Sequence, residues 1–244
     1  MTVCWFALFR QADAPQSRAS DADLAWLARY IAATPGLRQG LIYTPSSTSD
    51  PYLDDGPPPA LGLQLYFDDI AVLEAAAAAN GYLHGLAAPG ALPSLEGAEV
   101  TQQAMLARRY PVPDAAFHTP PGDVPCTYLV AYEGSAEDLT AWLTHYIDDH
   151  PPIMARFPGI RQIEIYSCID WCGCLPWRRV AHMQRNKVVF DNQTALTAAL
   201  NSPVRHEMRA AFARFPPFTG PITHFPMATR VVEPLPATSP CGRG

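Results

Sequence analysis

Apolar positions in the first half of the chain predict four strands and two helices. Residues 4–9 are a continuous apolar run, and leucines alternate with other side chains along residues 61–67, as in a strand. Leu24, Leu27 and Ile31 recur at helical spacing before Pro35-Gly36 ends the helix. The predicted order is β-α-β-β-α-β, with strands at 4–9, 37–43, 61–67 and about 100–106 and helices at 23–34 and 69–79.

The second half shows the same order of apolar patterns. A further helical turn or two is predicted within residues 205–215, between the second helix and the last strand. The predicted strands are 127–132, 160–166, 181–190 and 222–229. One predicted helix begins at Ala136, and the other spans 194–200.

A repeated segment connects the two halves. Residues 35–43, PGLRQGLIY, return as residues 158–166, PGIRQIEIY, and Phe67-Asp68 returns as Phe190-Asp191 at the same spacing. Self-similarity of this kind indicates a tandem duplication. We therefore predict two ferredoxin-like repeats, residues 1–122 and 123–232, followed by a proline-rich tail at 233–244.

The β-α-β-β-α-β order predicts the fold class, which is α+β. Each ferredoxin-like half places its helices on one face of an antiparallel sheet and leaves the other face open. The two open faces can cover each other if the halves pack sheet to sheet as an α+β barrel within one chain. We expect the ligand pocket in the space between the sheets.

Composition and charge exclude several classes of partner. The formal net charge is -6, so neither a nucleic acid nor an anionic membrane is expected to bind. The start of the chain lacks the pattern of a signal peptide, and no run of 18 apolar residues predicts a membrane span. Six cysteines in 244 residues do not indicate a disulfide framework. A cytoplasmic protein is expected.

Residues 145–159, HYIDDHPPIMARFPG, resemble a segment of the dimeric α+β barrel superfamily, and specifically of its EthD-like branch. Residues 200–203 and two phenylalanines, Phe212 and Phe215, are also similar to that branch. The resemblance covers most of residues 126–230 and is fainter over residues 4–106. It implies the barrel fold, while the superfamily includes isomerases, cyclases, monooxygenases and haem proteins.

A segment present in one repeat alone points to the second half as the site-bearing half. Seven extra residues there include Asp148, Asp149 and His150, followed by two prolines that would fix the backbone. Histidine titrates near neutrality, so we predict His150 as the catalytic base or acid. The resemblance implies a position at the pocket edge. The alternative is a histidine that stabilises the end of a helix.

Strand alternation supplies the other candidates. If Ile163 and Ile165 pack on helices, the polar side chains that point between the sheets are those of Glu164, Tyr166, His182 and His224. The alternative is that these side chains lie at a solvent-facing edge. Glu164 stands where the first repeat has Leu41, and a buried carboxylate is costly unless it is paired or functional. The predicted catalytic residues are His150, Glu164 and His182, and the predicted substrate-binding residues are Tyr146, Tyr166, Trp171 and His224.

Three closely spaced thiols, Cys168, Cys172 and Cys174, are a candidate metal site that His182 could complete. Their spacing departs from the usual zinc knuckle, so we predict no metal and favour a tryptophan-rich loop that covers the pocket. No cofactor is expected. Haem is the alternative, and it requires an axial histidine, for which His182 and His224 are the candidates.

The leading hypothesis is a small cofactor-independent enzyme that acts on an apolar or aromatic metabolite. Its chemistry would be proton transfer, as in isomerisation, cyclisation or dehydration. The first alternative is an EthD-like oxidative enzyme, a monooxygenase or a haem-dependent one. The others are a non-catalytic binding protein and a duplicate whose core is closed and apolar. A homodimer is a further expectation, since the sequence does not decide whether two chains pair.

Overall fold

The computed structural model describes residues 2–14 and 16–236. The proline-rich tail predicted at 233–244 therefore lies largely outside the described residues, and so does Cys241. Among the described residues, no helix combines the length and apolar composition that are needed to cross a bilayer.

The first repeat has the predicted element order. Its strands and helices are β1 (Val3–Arg10), α1 (Asp21–Ala32), β2 (Gln39–Pro45), β3 (Leu61–Phe67), α2 (Ile70–Ala77) and β4 (Glu99–Tyr110). Ser20 caps α1 by accepting a hydrogen bond from the backbone N–H of Asp23. Two short 3₁₀ helices that the sequence pattern did not predict, Tyr82–Ala87 and Pro93–Leu95, precede β4.

The second repeat follows the same order, with one short strand and one helix added. Its elements are β5 (Cys126–Tyr132), α3 (Leu139–Met154), β6 (Ile160–Cys168), β7 (Arg178–Arg179), β8 (Gln184–Phe190), α4 (Gln193–Leu200), α5 (Pro203–Phe212) and β9 (Ile222–Val232). Helix α5 confirms the helical turns expected after α4. Gly36 and Gly159 both have positive φ, 70° and 73°, which explains why Pro-Gly recurs in the repeat.

Eight antiparallel strands close into a barrel. The order around it is β1-β3-β2-β9-β5-β8-β6-β4, and β4 also pairs with β1. The repeats join along β2–β9 and β4–β6, so β4 and β9 must each pair on both sides. For this reason β4 extends beyond the predicted 100–106, to Tyr110. The predicted α+β barrel within one chain is confirmed, whereas the exact repeat boundaries and the pairing of two chains stay predictions.

Two helix-side cores cover the outside of the barrel. The outward side chains of β1, including Trp5 and Phe9, pack on Leu27 and Ile31 of α1 in the first repeat. Ile163 and Ile165 of β6 pack in the corresponding core of the second repeat, as expected. Inside the barrel lies a third cluster of fully buried side chains, including those of Cys4, Phe6, Tyr43, Tyr166 and Met227.

The loop between β6 and β7 crosses from the second repeat into the core of the first. Trp171 and Leu175 are buried in that core, and the Trp177 ring lies 6.0 Å from the Trp5 ring. The expectation that this loop covers the ligand pocket is therefore wrong. The loop instead packs over the helix side of the first sheet, where it buries large apolar side chains.

Replacing Trp171 with alanine should lower the free energy of unfolding by about 3 kcal/mol, because a buried indole is lost from a well-packed core. Chemical denaturation would measure the change. Cys172→Ala is the matched control, since this side chain is exposed on the same loop. If Trp171→Ala left stability unchanged but abolished ligand binding, the substrate-binding role predicted from the sequence would stand instead.

Candidate functional site

A cavity of about 710 Å³ lies between the outer face of the second repeat's sheet and helices α3, α4 and α5. Such volumes are typical of small-molecule sites. The cavity lies outside the barrel and not between the two sheets, where the ligand pocket was predicted. The barrel centre is occupied by the side chains of the third core cluster. The walls of the cavity are mostly apolar and include Tyr128, Val130, Met154, Val188, Leu196 and Met208.

The space between the sheet and the helices is filled in the first repeat but contains a cavity in the second, and the sequences of the two repeats explain the difference. In the first repeat, the 3₁₀ helices and the 169–177 loop supply Leu83, Leu86 and Trp171 to the space between sheet and helices. In the second repeat, α5 supplies Met208 and Arg205 to one wall instead, and a cavity is present. The cavity therefore belongs to the half that the extra Asp148–Pro152 segment had singled out.

The long loop between β2 and β3 of the first repeat reaches across to the mouth of this cavity. Asp50 anchors the loop by accepting hydrogen bonds from Tyr128 Oη, at 2.5 Å, and from Arg205 Nη2, at 2.7 Å. The Asp50 side chain is buried, and charge-assisted hydrogen bonds of this kind are strong. The anchored loop brings Leu53 and Asp55 to the cavity wall.

His224 and Asp55 form a histidine–carboxylate pair at the cavity edge. His224 Nδ1 lies 2.8 Å from Asp55 Oδ2, and the backbone N–H of His224 donates to the same oxygen at 2.8 Å. Hydrogen bonding from the His224 ring is the main cause of the lowered pKa of Asp55, so the carboxylate stays ionised. A proton on Nδ1 therefore satisfies Asp55 and leaves Nε2 as an acceptor.

His150, the predicted catalytic base, lines the same cavity from α3. The helix does not end before it but continues through Pro151 and Pro152 to Met154. The ring is packed 4.8 Å from Tyr146 and 4.5 Å from Phe215, and its Nδ1 has no hydrogen-bond partner among the described residues. Burial lowers the pKa of His150 to about 3, so its ring is neutral and a weak base.

One more polar residue lines the cavity. Asn186 lines it from β8, and Asn186 Oδ1 is buried without a partner among the residues that the structure describes. Buried polar atoms are nearly always paired, so an orphan in a cavity wall suits a ligand or a bound water. His150 and Asn186 therefore place two polar side chains among the apolar residues that line the cavity.

Glu164 and Tyr166 face the barrel interior, as strand alternation predicts, and so lie on the other side of the sheet from the cavity. The Glu164 carboxylate accepts hydrogen bonds from Tyr66, Arg109, Gln162 and Tyr166, and Lys187 Nζ lies 3.5 Å away. Burial would raise the pKa of Glu164, but Lys187 and these donors lower it to about 2. A carboxylate held in this way is a poor base.

His224 was expected on the same side as Glu164, and this expectation is wrong. Phe225 and Met227 of β9 point into the barrel, so His224 points outward, to the cavity. His182 was expected on the third strand, but β8 begins only at Gln184. His182 lies at one end of the barrel, where its carbonyl accepts from Gln103 Nε2 at 2.9 Å.

The remaining predicted residues lie apart from the cavity. Tyr146 is fully buried beside His150 in the helix-side core, and Trp171 packs in the other repeat. The three thiols are exposed, and the described residues contain no group of three or more side chains placed to hold a metal ion. The backbone N–H groups of Cys172 and Cys174 dock their loop onto Glu74 and Ala77 of α2.

Of the two histidines proposed as haem ligands, only His224 lines the 710 Å³ cavity. Its Nδ1 already has a carboxylate partner, which is the usual arrangement of a histidine whose Nε2 binds a metal. If the protein held a haem, His224 would be the residue placed to bind its iron, and His182 would not.

No protein-family model matches the chain, and no curated protein matches it in sequence. Several solved structures do match the chain in fold. The chain is similar to an anthrone oxidase-like protein, with 12% identity, a TM-score of 0.57 and coverage of 98% of this chain and 97% of that one. It is also similar to a candidate monooxygenase from Fusobacterium nucleatum, with 6% identity, a TM-score of 0.58 and coverage of 95% and 94%. The fold is an α+β barrel. Another candidate monooxygenase, from Lactobacillus acidophilus, has 9% identity, a TM-score of 0.52 and coverage of 95% and 96%.

Sequence reasoning missed Asp55 and Arg205. Asp55 lies in a proline-rich loop 169 residues before His224, and no local pattern links the two. The run of acidic residues near the centre of this loop was a signal that could have been followed, since Asp50 and Asp55 both meet basic side chains of the second repeat. Asn186 was not among the predicted site residues.

The neutral state of His150 predicts a loss of stability in acid. Its pKa is about 3 when folded and ordinarily 6.5, so the unfolded chain binds more protons between these values. Stability should therefore fall as the pH is lowered through this range, by up to about 1.4 kcal/mol per pH unit from this group. Burial shifts the pKa of His182 in the same way, to about 3.

Urea denaturation of wild type and His150→Gln between pH 7 and pH 4 would measure this slope. The slope of the free energy of unfolding against pH should be smaller in the variant by the contribution of one titrating histidine. The contribution of His182 should remain. Val124→Gln, at an exposed position, changes no titratable group, should leave the slope unchanged and serves as the control. Equal slopes in wild type and His150→Gln would show that His150 is not held neutral.

Proposed function

We propose that the protein is a small-molecule enzyme that removes a proton from an apolar or aromatic substrate without an organic cofactor. The observation that carries the proposal is the His224–Asp55 pair at the edge of a mostly apolar cavity. His224 Nε2 is the base, and Asp55 holds the ring in the required tautomer and stabilises the imidazolium that forms. The proposed base is therefore His224 and not His150, which was predicted from the sequence.

The other cavity residues position the substrate. Val130, Val188 and Met208 enclose its apolar body, which favours a flat or aromatic skeleton over a polar one. His150 and Asn186 are the polar lining residues that pair with its carbonyl or hydroxyl group. Arg205 is paired with Asp50 at the cavity wall and supplies its remaining guanidinium N–H groups, which can donate hydrogen bonds to an enolate or phenolate.

Proton removal is the first step of both reaction classes that the fold and the resemblance suggest. Return of the proton to another carbon gives isomerisation or cyclisation. Reaction of the carbanion with molecular oxygen gives oxidation, the alternative that is supported by the monooxygenase and anthrone oxidase-like names of the structural neighbours and by the EthD-like segment. Anthrone is a suitable probe because its methylene group is acidic and its skeleton is flat and apolar.

The test is deuterium exchange at the methylene group of anthrone without oxygen, followed by oxygen uptake in air. We expect catalysed exchange by the protein as purified. Exchange followed by oxygen uptake would select oxidation, in which one O₂ converts the methylene group to a carbonyl and releases one water. Binding without exchange would contradict the proposal and indicate a carrier. A Soret band in the purified protein would contradict the cofactor-free assignment.

A further inference from the structure

The inner face of the barrel carries charged residues that the proposed reaction does not use. Lys187 Nζ donates a hydrogen bond to Tyr66 Oη at 2.8 Å, and Tyr66 donates to Glu164. Arg109 Nε donates to Glu164 Oε1 at 2.7 Å. Lys187 is only 1% exposed and Glu164 is fully buried, whereas the Arg109 side chain is 64% exposed, so the cluster extends from the interior to the surface.

This cluster opens into a second cavity, of about 500 Å³, at one end of the barrel. Lys187 and Arg109 both line it. The apolar part of its wall comes from inward positions of three strands and from the linker after β4. These residues are Leu41, Val112, Phe117, Val189 and Val231. Phe117 and Val231 are about half exposed, which leaves an open apolar rim.

The cations at the barrel mouth all have carboxylate partners. Lys187 and Arg109 share Glu164, and Arg161 on the same wall pairs with Asp114 and Asp191, so the mouth carries no excess of positive charge. The guanidinium of Arg109 uses only its Nε for Glu164, and within the described residues its Nη groups make no hydrogen bond. A guanidinium with free Nη groups beside a low-dielectric wall is well suited to a carboxylate.

We propose that the barrel mouth is a binding site for a small monocarboxylate with an apolar body, such as a medium-chain fatty acid. The carboxylate lies against the free Nη groups of Arg109 and near the Lys187 ammonium. The apolar body lies along Leu41, Val189 and Val231. The carboxylate gains charge-assisted hydrogen bonds from the Nη groups of Arg109, so a monoanion is favoured over a neutral or cationic molecule of the same shape.

This site is separate from the cavity that contains His224. Strand β8 lies between the two, because Lys187 and Val189 point to the barrel mouth and Asn186 and Val188 point to the cavity. The proposal therefore does not depend on the proposed reaction.

Isothermal titration of the full chain with octanoate, octanol and octylamine tests the proposal. Octanoate should bind about tenfold or more tightly than octanol, and octylamine should bind more weakly still, because only the carboxylate gains charge-assisted hydrogen bonds. Arg109→Gln should weaken octanoate binding by about tenfold and leave octanol binding unchanged. Since Arg109 is largely exposed, this variant is expected to fold.

Two variants separate this site from alternatives. Arg108→Gln, one position along β4, removes an arginine that donates to Ser167 on the other face, and it should bind octanoate like wild type. Met208→Trp narrows the cavity beside α5 and should also leave octanoate binding unchanged. Equal affinity for octanoate and octanol, or loss of octanoate binding in Met208→Trp but not in Arg109→Gln, would overturn the proposal.

Discussion

His224→Gln should slow enzyme-catalysed deuterium exchange of anthrone by about 100- to 10,000-fold, the usual contribution of a positioned general base. The glutamine can still donate a hydrogen bond to Asp55, so the loop and the cavity should keep their shape. Binding of anthrone should therefore change little, and the loss should appear in the rate constant of the bound complex. Single-turnover exchange followed by NMR, with affinity measured separately, distinguishes the two quantities.

Three further variants locate the base. Asp55→Asn should lower the rate less than His224→Gln, since the histidine remains but its tautomer and imidazolium are less well supported. His150→Gln should mainly weaken binding, because burial already holds the pKa of His150 at about 3. His118→Gln, at a residue that does not line the cavity, should have no effect. If His150→Gln abolished exchange while His224→Gln did not, the first assignment from the sequence would be restored.

The sequence predicted the fold because the relevant signals are local. Apolar alternation, the helix repeat and the duplicated Pro-Gly segment each depend on neighbouring residues, and the structure contains the elements that they predict. The lengths of β4 and β9 were underestimated because their extra residues pair across the two repeats. Such pairing depends on contacts that are distant in sequence, and strand patterns do not encode them.

The candidate site was harder to predict because both faces of the sheet are buried. Along β9, inward Phe225 and outward His224 are adjacent, and when both faces are covered the apolar pattern does not say which one faces helices. Alternation gave the inward direction of Glu164 correctly, since Ile163 and Ile165 fixed the outward face of β6. Along β9, no pair of apolar residues identified the outward face in the same way, so the direction of His224 could not be predicted. Its partner Asp55 required the tertiary fold.

The second large effect is expected at the buried pair of Lys187 and Glu164. Lys187→Met should lower the free energy of unfolding at pH 7 by about 3–5 kcal/mol, because it leaves a fully buried carboxylate without its ammonium partner. The methionine is nearly isosteric with the lysine, so lost packing contributes little. Urea denaturation would measure the change, and Arg108→Gln, on the outer face of β4, is the control.

The double variant Lys187→Met, Glu164→Gln shows whether the cost comes from the unpaired charge. A neutral amide at position 164 can still accept from Tyr66 and Tyr166, so the double variant should be more stable than Lys187→Met alone.

The pH dependence of stability provides a second check. The pKa of Glu164 is about 2 when folded and ordinarily 4.5, so its contribution is present above pH 4.5 and is lost as the pH falls towards 2. Wild type should therefore lose stability over this range more steeply than Glu164→Gln. If Lys187→Met were as stable as wild type, the ammonium would not be needed to keep Glu164 ionised, and the four hydrogen bonds to its carboxylate would be sufficient.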